Sequence, residues 1–116
     1  MICLIHAYEQ MYQGLHGIET YNIGVYKDME DAAEDARDCS FEVMESYDQI
    51  MSDLEEMAEE NETSVDEEME ENVGYDIYRI KDKFIMSDSE MVSACIMMEA
   101  MEDMDMDEFI DYYCEK

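Results

Sequence analysis

The carboxylates of Asp and Glu are the side chains of this sequence that are numerous enough, and closely enough spaced, to suggest a chemical role. The chain holds 34 Asp and Glu against six Lys and Arg, which gives a formal net charge of -28. Two carboxylates can act as a general acid and base when burial raises the pKa of one of them. Nearly all of these acids fall on the polar faces of predicted helices, so their spacing does not single out a catalytic pair.

Histidine and cysteine add little to the catalytic candidates. His6 falls in a predicted strand and His16 in a predicted turn, and neither is surrounded by the signature of a nucleophile and its base. The cysteines are widely separated and lack the C-x-x-C spacing of zinc or redox sites. They are Cys3, Cys39, Cys95 and Cys114. We expect reduced, mostly buried thiols and a protein that is not an enzyme and has no cofactor.

One segment resembles a metal-binding loop. Residues 103–107 read Asp-Met-Asp-Met-Asp, which is how an EF-hand calcium loop begins. The sixth position of such a loop needs Gly and holds Glu108, and the twelfth needs Glu and holds Cys114. The sequence therefore predicts no specific metal site.

The predicted strands are the least acidic parts of the chain. Residues 1–27 hold two acids and one base, and their β-branched and aromatic residues predict a β-hairpin that turns at residues 13–17. Residues 73–83 predict a third strand and contain Arg79, Lys81 and Lys83, half of all the bases.

Residues 28–60 predict an acidic helix or a helix pair. Asp28 suits the N-cap, and two rows of mostly apolar residues follow at seven-residue spacing. The first row is Met29, Ala36, Val43, Ile50 and Met57, and the second is Ala33, Ser40, Tyr47 and Leu54. The pattern leaves open one long helix, a kink near residues 39–40, or two helices. Residues 61–72 are rich in Glu and weakly periodic, and they predict an acidic loop.

Residues 87–115 predict two short helices. Ser87 and Glu90 fit a capping box. The first helix is expected to bury Met91, Val92, Cys95, Met98 and Met101, and the second to bury Phe109, Ile110 and Tyr113. Met104 and Met106 lie among aspartates and are expected to be more exposed.

Together these elements predict a single α+β domain over residues 1–116. Its core would be a three-stranded antiparallel sheet with acidic helices packed on one face. The predicted apolar rows at residues 29–57 could pack on the sheet or on a second copy of the chain, so a homodimer stays open.

The acids of residues 28–72 form the candidate partner-binding surface. This segment holds twenty acids and one base. Like charges three or four positions apart on a helix each cost a few tenths of a kcal/mol, and hardly any Lys or Arg relieves them here. A row of carboxylates on a rod imitates a phosphate backbone, which a site built of Lys and Arg would bind. The candidate residues are Asp31, Glu34, Asp35, Asp38, Glu42, Glu45, Asp48, Glu55, Glu56, Glu59, Glu60, Glu67, Glu68, Glu70 and Glu71.

This composition resembles that of the small, strongly acidic inhibitors encoded by phages and mobile elements. They include DNA-mimicking antirestriction proteins and anti-CRISPR proteins. The resemblance lies in the length, the ratio of acids to bases, and acidic pairs such as Glu30-Asp31, Glu34-Asp35 and Glu55-Glu56. It implies a stoichiometric inhibitor that occupies the nucleic-acid groove of a CRISPR effector or restriction nuclease.

The charge also limits the other partners. So acidic a chain is expected to bind neither nucleic acid nor a membrane surface directly, because both carry phosphate. An acidic adaptor or chaperone for basic proteins is the alternative function. Without a secretory signal the sequence predicts a cytoplasmic protein, in the host cytoplasm if it is encoded by a phage.

Overall fold

Three antiparallel strands form the sheet of this computed structural model, which describes residues 1–10, 19–86 and 88–115. The strands are β1 (Ile2–Glu9), β2 (Glu19–Val25) and β3 (Val73–Arg79), in the spatial order β2-β1-β3. The helices are α1 (Met29–Glu45), α2 (Asp48–Asn61), α3 (Val65–Glu71), α4 (Glu90–Asp103) and α5 (Met106–Tyr113), with a 3-10 turn at Asp82–Phe84. The α+β class and the three-stranded antiparallel sheet are confirmed. The predicted turn at residues 13–17, His16 and Ser87 lie outside the described residues.

Helices cover both faces of the sheet, so the expectation of helices on one face is corrected. The central strand β1 begins with four consecutive fully buried residues, Ile2 to Ile5. Because successive side chains of a strand point to opposite faces, this run needs a covering layer on each side. Ile2 and Leu4 pack with residues of α4 and α5, whereas Cys3 and Ile5 pack with α1.

The acidic residues 28–60 form two helices. α1 ends at Glu45 and α2 begins at Asp48, although no Gly or Pro separates them. Tyr47 lies between the helices with an extended backbone and is exposed, and Met29 is exposed as well. Neither residue therefore packs with the rest of the apolar rows that were predicted.

Residues 61–72 were expected to form a loop, but they contain helix α3. The Ser64 side chain caps it by accepting a hydrogen bond from the Glu67 N–H. The buried residues Met44, Ile50, Leu54 and Met69 join the end of α1 to α2 and α3 in a small core of their own. Tertiary packing on this core offsets the weak periodicity of the segment.

Helix α4 faces the sheet with the side opposite to the predicted one. Its buried residues are Ser93, Ala94 and Met97. Four of the five residues that were expected inside, Met91, Val92, Cys95 and Met98, are exposed, whereas Met101 is half-buried against the core. Ser89 caps the helix by accepting from the Val92 N–H, so Glu90 is the first helical residue and not the third.

Helix α5 buries Phe109 fully and Ile110 and Tyr113 partly, in agreement with the prediction. Met104 and Met106 are half-buried and pack against the same core as Phe109, although exposure was expected for both.

A candidate acidic interaction surface

The outer side of α1 carries a continuous row of exposed carboxylates. The inner side of the helix packs on the sheet through Ala32, Ala36 and Ser40, which turns the acids toward solvent. Those at spacings of three and four are Asp31, Glu34, Asp35, Asp38, Glu42 and Glu45. At about 1.5 Å per residue, the row from Asp31 to Glu45 is about 21 Å long.

The beginning of this row suits the positive end of the helix dipole. Asp28 caps the helix by accepting from the Asp31 N–H at 2.8 Å, and Glu30 and Asp31 lie in the first turn. The negative end has no such compensation, because the last turn of α1 contains no basic residue and does contain Glu42 and Glu45. The carboxylates near the end of the row are therefore less favourable to the stability of α1 than those near its beginning.

Helices α2 and α3 extend the acidic surface beyond the sheet. The candidate acids of α2 are all exposed, and they are Asp48, Glu55, Glu56, Glu59 and Glu60. On α3, Glu67, Glu70 and Glu71 are exposed as well. Because α2 and α3 pack beside the end of α1, their carboxylates enlarge the same negatively charged part of the molecule.

Four of the predicted site residues have structural partners, and the first, Asp31, accepts a hydrogen bond from the Lys27 N–H at 3.2 Å. Glu68 is 2% exposed and accepts hydrogen bonds from Asn61 and Thr63, so it cannot be a surface contact. Asp35 accepts a hydrogen bond from the Tyr26 hydroxyl. Burial of Tyr26 and this bond to Asp35 both raise the pKa of the tyrosine.

Glu70 is the fourth, since it forms an ion pair with Arg37, the one base of residues 28–72. The Arg37 guanidinium also lies 5.1 Å from the centre of the Phe41 ring. Beside this pair is a groove of about 250 Å³ between α1 and α3, lined by Phe41, Glu45, Asp66, Met69 and Glu70. An aromatic ring with carboxylates around it is an environment that favours a cationic side chain, as Arg37 itself illustrates.

Three of the bases of the described residues belong to β3 and the turn that follows it, and each has a contact close by. Arg79 is within 3.5 Å of Asp82, and Lys81 donates to the Tyr112 carbonyl. Lys83 lies 5.1 Å from the centre of the Phe84 ring. None of these three contacts is with an acid of α1 or α2.

The length and charge of the molecule together match those of a short nucleic-acid duplex. The molecule extends 52 Å along its longest axis and 27 and 21 Å along the others. A duplex carries one phosphate per about 1.7 Å of axis, so a segment of that length carries about 30 charges. The formal net charge of the chain is -28.

His6, in the central strand, contacts an acidic residue of each neighbouring strand. Its Nε2 lies 2.7 Å from a Glu19 carboxylate oxygen, and its Nδ1 lies 3.5 Å from Asp76. The ring stacks on Tyr21 with 4.3 Å between centres. Because Glu19, His6 and Asp76 belong to β2, β1 and β3, the imidazole connects all three strands.

A second buried glutamate was not anticipated from the sequence. Glu9, at the end of β1, is fully buried, and neither carboxylate oxygen has a hydrogen-bond partner in the part of the chain described. The only sequence signal for the burial of Glu9 was its position at the end of an apolar strand.

Within residues 1–10, 19–86 and 88–115, no three His, Cys, Asp or Glu side chains converge as a metal site would require. None of the described helices combines the length and apolarity needed to cross a membrane. No protein-family model, curated protein or solved structure matches the chain.

Proposed function

We propose that this protein is a stoichiometric inhibitor of a nuclease and acts in the cytoplasm without catalysis. Its acidic surface would occupy the groove in which a CRISPR effector or a restriction nuclease binds nucleic acid. Lys and Arg side chains that line such a groove would pair with the carboxylates in place of phosphates.

The exposed acid row of α1 is the observation that carries this proposal. Asp31, Glu34, Asp38, Glu42 and Glu45 are all exposed on one helix that is packed firmly on a sheet. A rigid row of charges loses little conformational entropy when it is bound, which favours affinity. Its long-range field would also accelerate encounter with a basic partner, by an amount that falls as salt is added.

The test begins by finding the partner. The protein would be immobilised and exposed to lysates of cells that each express one candidate effector or restriction nuclease. For a nuclease that is retained, we expect the protein to prevent DNA binding in a mobility-shift assay, with less inhibition at each step of a salt series.

A pair of variants with equal charge separates a localised site from net charge alone. The first neutralises Glu34→Gln, Asp38→Asn, Glu42→Gln and Glu45→Gln on α1. Asp35 is left unchanged because it accepts a hydrogen bond from Tyr26. The control neutralises four exposed acids outside the solvent sides of α1 and α4, Asp88→Asn, Asp107→Asn, Glu108→Gln and Glu115→Gln. We expect about a tenfold or larger loss of inhibition in the first variant and a much smaller loss in the control.

Two results would contradict the proposal. Equal losses in both variants would mean that the acids act only through net charge. Retention of many unrelated basic proteins with similar affinity would instead favour the acidic adaptor or chaperone.

A further inference from the structure

The outer side of α4 exposes a cluster of large apolar side chains. Met91 is 65% exposed and Met98 43% exposed, and Val92, Cys95 and Ile96 are exposed between them. We call these five residues the α4 patch. They are one, three or four positions apart, which places them on the same, solvent-facing side of the helix. The patch occupies about two turns.

Specific hydrogen bonds hold α4 in this orientation. The Ser93 hydroxyl accepts from the Met86 N–H at 2.7 Å and donates to the Ser89 carbonyl at 3.2 Å. Ser93 and Ala94 therefore face the sheet while larger apolar residues face solvent. Burying Met91, Val92 and Ile96 would have gained more hydrophobic free energy, so the exposure of the patch is a cost to the isolated molecule.

Carboxylates continue the solvent side of α4 beyond the patch. Glu99, Glu102 and Asp103 are exposed near the C-terminal end of the helix, where the dipole is also negative. The last turn contains no basic residue. An apolar surface that ends in uncompensated negative charge is complementary to an apolar surface that ends in positive charge.

The same charges disfavour a second copy of this chain as the occupant. If two α4 helices paired in parallel, Glu99, Glu102 and Asp103 would face their own equivalents. In an antiparallel pair they would approach Asp88 and Glu90 of the other copy, where Glu90 is already paired with the Met1 ammonium. The parallel pair brings uncompensated carboxylates together, and either pair adds the repulsion between two chains of net charge -28.

We propose that the α4 patch binds an amphipathic basic helix of another protein. Apolar residues of that helix at i, i+3 or i+4, and i+7 would cover the patch, and Lys or Arg at one end would lie over the acids at the end of α4. Methionine side chains adapt to varied apolar partners, which suits such a surface. The site is separate from the acid row of α1, because α1 and α4 cover opposite faces of the sheet.

A synthetic peptide tests the proposal directly. The probe is a fluorescent helix of about 14 residues of Leu and Lys, with the two residue types on opposite faces. Its control is a peptide of the same composition in an order that has no apolar face. We expect the amphipathic peptide to bind about tenfold more tightly by fluorescence anisotropy, because both peptides share the electrostatic attraction and only one covers the patch.

Two variants locate the binding. Met91→Ser combined with Ile96→Ser and Met98→Ser should remove the preference for the amphipathic peptide, and circular dichroism should show an unchanged fold because all three residues are exposed. The α1 variant with Glu34, Asp38, Glu42 and Glu45 neutralised should retain the preference while both peptides bind more weakly. A preference that survives the serine substitutions would overturn the proposal, even if the acid row of α1 proves to be the nuclease site.

Cys95 provides a second measurement on the unmodified protein. It is the exposed cysteine, whereas Cys3 and Cys114 are buried and Cys39 is partly buried. At about ten times the Kd of the amphipathic peptide, alkylation of Cys95 should slow by about tenfold. Unchanged alkylation would contradict the proposal. A dimer in sedimentation experiments that dissociates on the serine substitutions would also overturn it, in favour of a second copy.

Discussion

At the residue scale, Ser40 shows how a polar side chain can serve inside an apolar row. It is fully buried between α1 and the sheet. Its hydroxyl donates to the Tyr8 carbonyl at 2.8 Å and accepts from the Gly74 N–H at 3.0 Å. One side chain thus connects α1 to β1 and β3 and satisfies a buried backbone donor.

Ser40→Ala should lower the free energy of unfolding by about 1–3 kcal/mol. The change removes both hydrogen bonds and leaves the Gly74 N–H buried without this partner. Chemical denaturation would measure the difference. Ser52→Ala on the exposed side of α2 is the control, and it should change stability by less than about 0.5 kcal/mol. Equal effects of the two substitutions would show that the Ser40 bridge contributes nothing.

Cys114 makes stability sensitive to alkaline pH. Burial raises the pKa of its thiol from 9.0 to about 11, and the nearby Cys3 adds to the effect. Unfolding returns the thiol to its ordinary pKa, so between these values the unfolded chain releases a proton that the folded chain keeps. The contribution is therefore fully present below pH 9 and is lost as pH rises toward 11.

Cys114→Ala should make the fall in stability between pH 9 and 11 shallower. One proton corresponds to at most about 1.4 kcal/mol per pH unit. Urea denaturation at several pH values measures the slope. Ser52→Ala, which replaces no titrating group, is the control and should retain the parental slope. An unchanged slope in the Cys114 variant would mean that its burial does not govern the alkaline transition.

At the element scale, the end of α2 is the least favourable helix terminus. Its C-cap, Glu62, has φ 55° and ψ 39°, which is the left-handed region that glycine prefers. It also places a carboxylate at the negative end of a helix with no basic residue in its last turn. Both features cost stability.

Glu62→Gly should raise the free energy of unfolding by about 0.5–1 kcal/mol, since glycine adopts this conformation without strain. Glu62→Ala removes the charge but keeps the Cβ atom, so it should recover a smaller part of the gain. Thermal denaturation would measure both. If alanine stabilised the protein as much as glycine, charge and not backbone strain would account for the effect.

The sequence predicted the strands well because their signals are local. Residues 2–8, 18–26 and 73–83 are rich in β-branched and aromatic residues and nearly neutral, and the strands lie within or close to these bounds. That both faces of the sheet are covered could also have been inferred, since the apolar run from Ile2 to Ile5 does not alternate.

Other features depend on tertiary contacts and left no local signal. The separation of α1 and α2 occurs without Gly or Pro, and α3 folds because Met69 packs against Ile50 and Leu54. The rotation of α4 was not predicted because residues 91–98 are apolar apart from Ser93, and the acids that mark the solvent side, Glu99, Glu102 and Asp103, come only near the end of the helix. Its orientation depends on the hydrogen bonds of Ser93.

The exposure of the candidate acidic surface could largely be predicted from the sequence. A charged side chain at a polar helix position has little alternative to solvent, so the acids of α1 and α2 lie where the periodicity placed them. Glu68 departs from this rule because Asn61 and Thr63 supply its hydrogen bonds inside the fold. Such partners come from tertiary structure and not from the helix pattern.

At the scale of the whole molecule, the excess of acids works against folding. Many of the 34 acids are three or four positions from another acid on the same helix, a spacing at which Cβ atoms lie about 5–6 Å apart, and few bases relieve them. The Debye length is about 30 Å at 0.01 M salt and about 3 Å at 1 M, so added salt should screen most of this repulsion. The protein is therefore expected to melt at a higher temperature as salt increases.

Neutralising the α1 row should stabilise the protein while it weakens the proposed binding. With Glu34, Asp38, Glu42 and Glu45 replaced by Gln or Asn, every like-charge pair along the row except Asp31 with Asp35 is lost. We expect a gain of about 1 kcal/mol at 0.01 M salt that shrinks at 0.5 M. Melting curves in both salts measure it, with Ser52→Ala expected to keep the parental salt dependence. A variant that is less stable than the parent at low salt would mean that these carboxylates support the fold. No cationic partner would then be needed to explain why the chain has them.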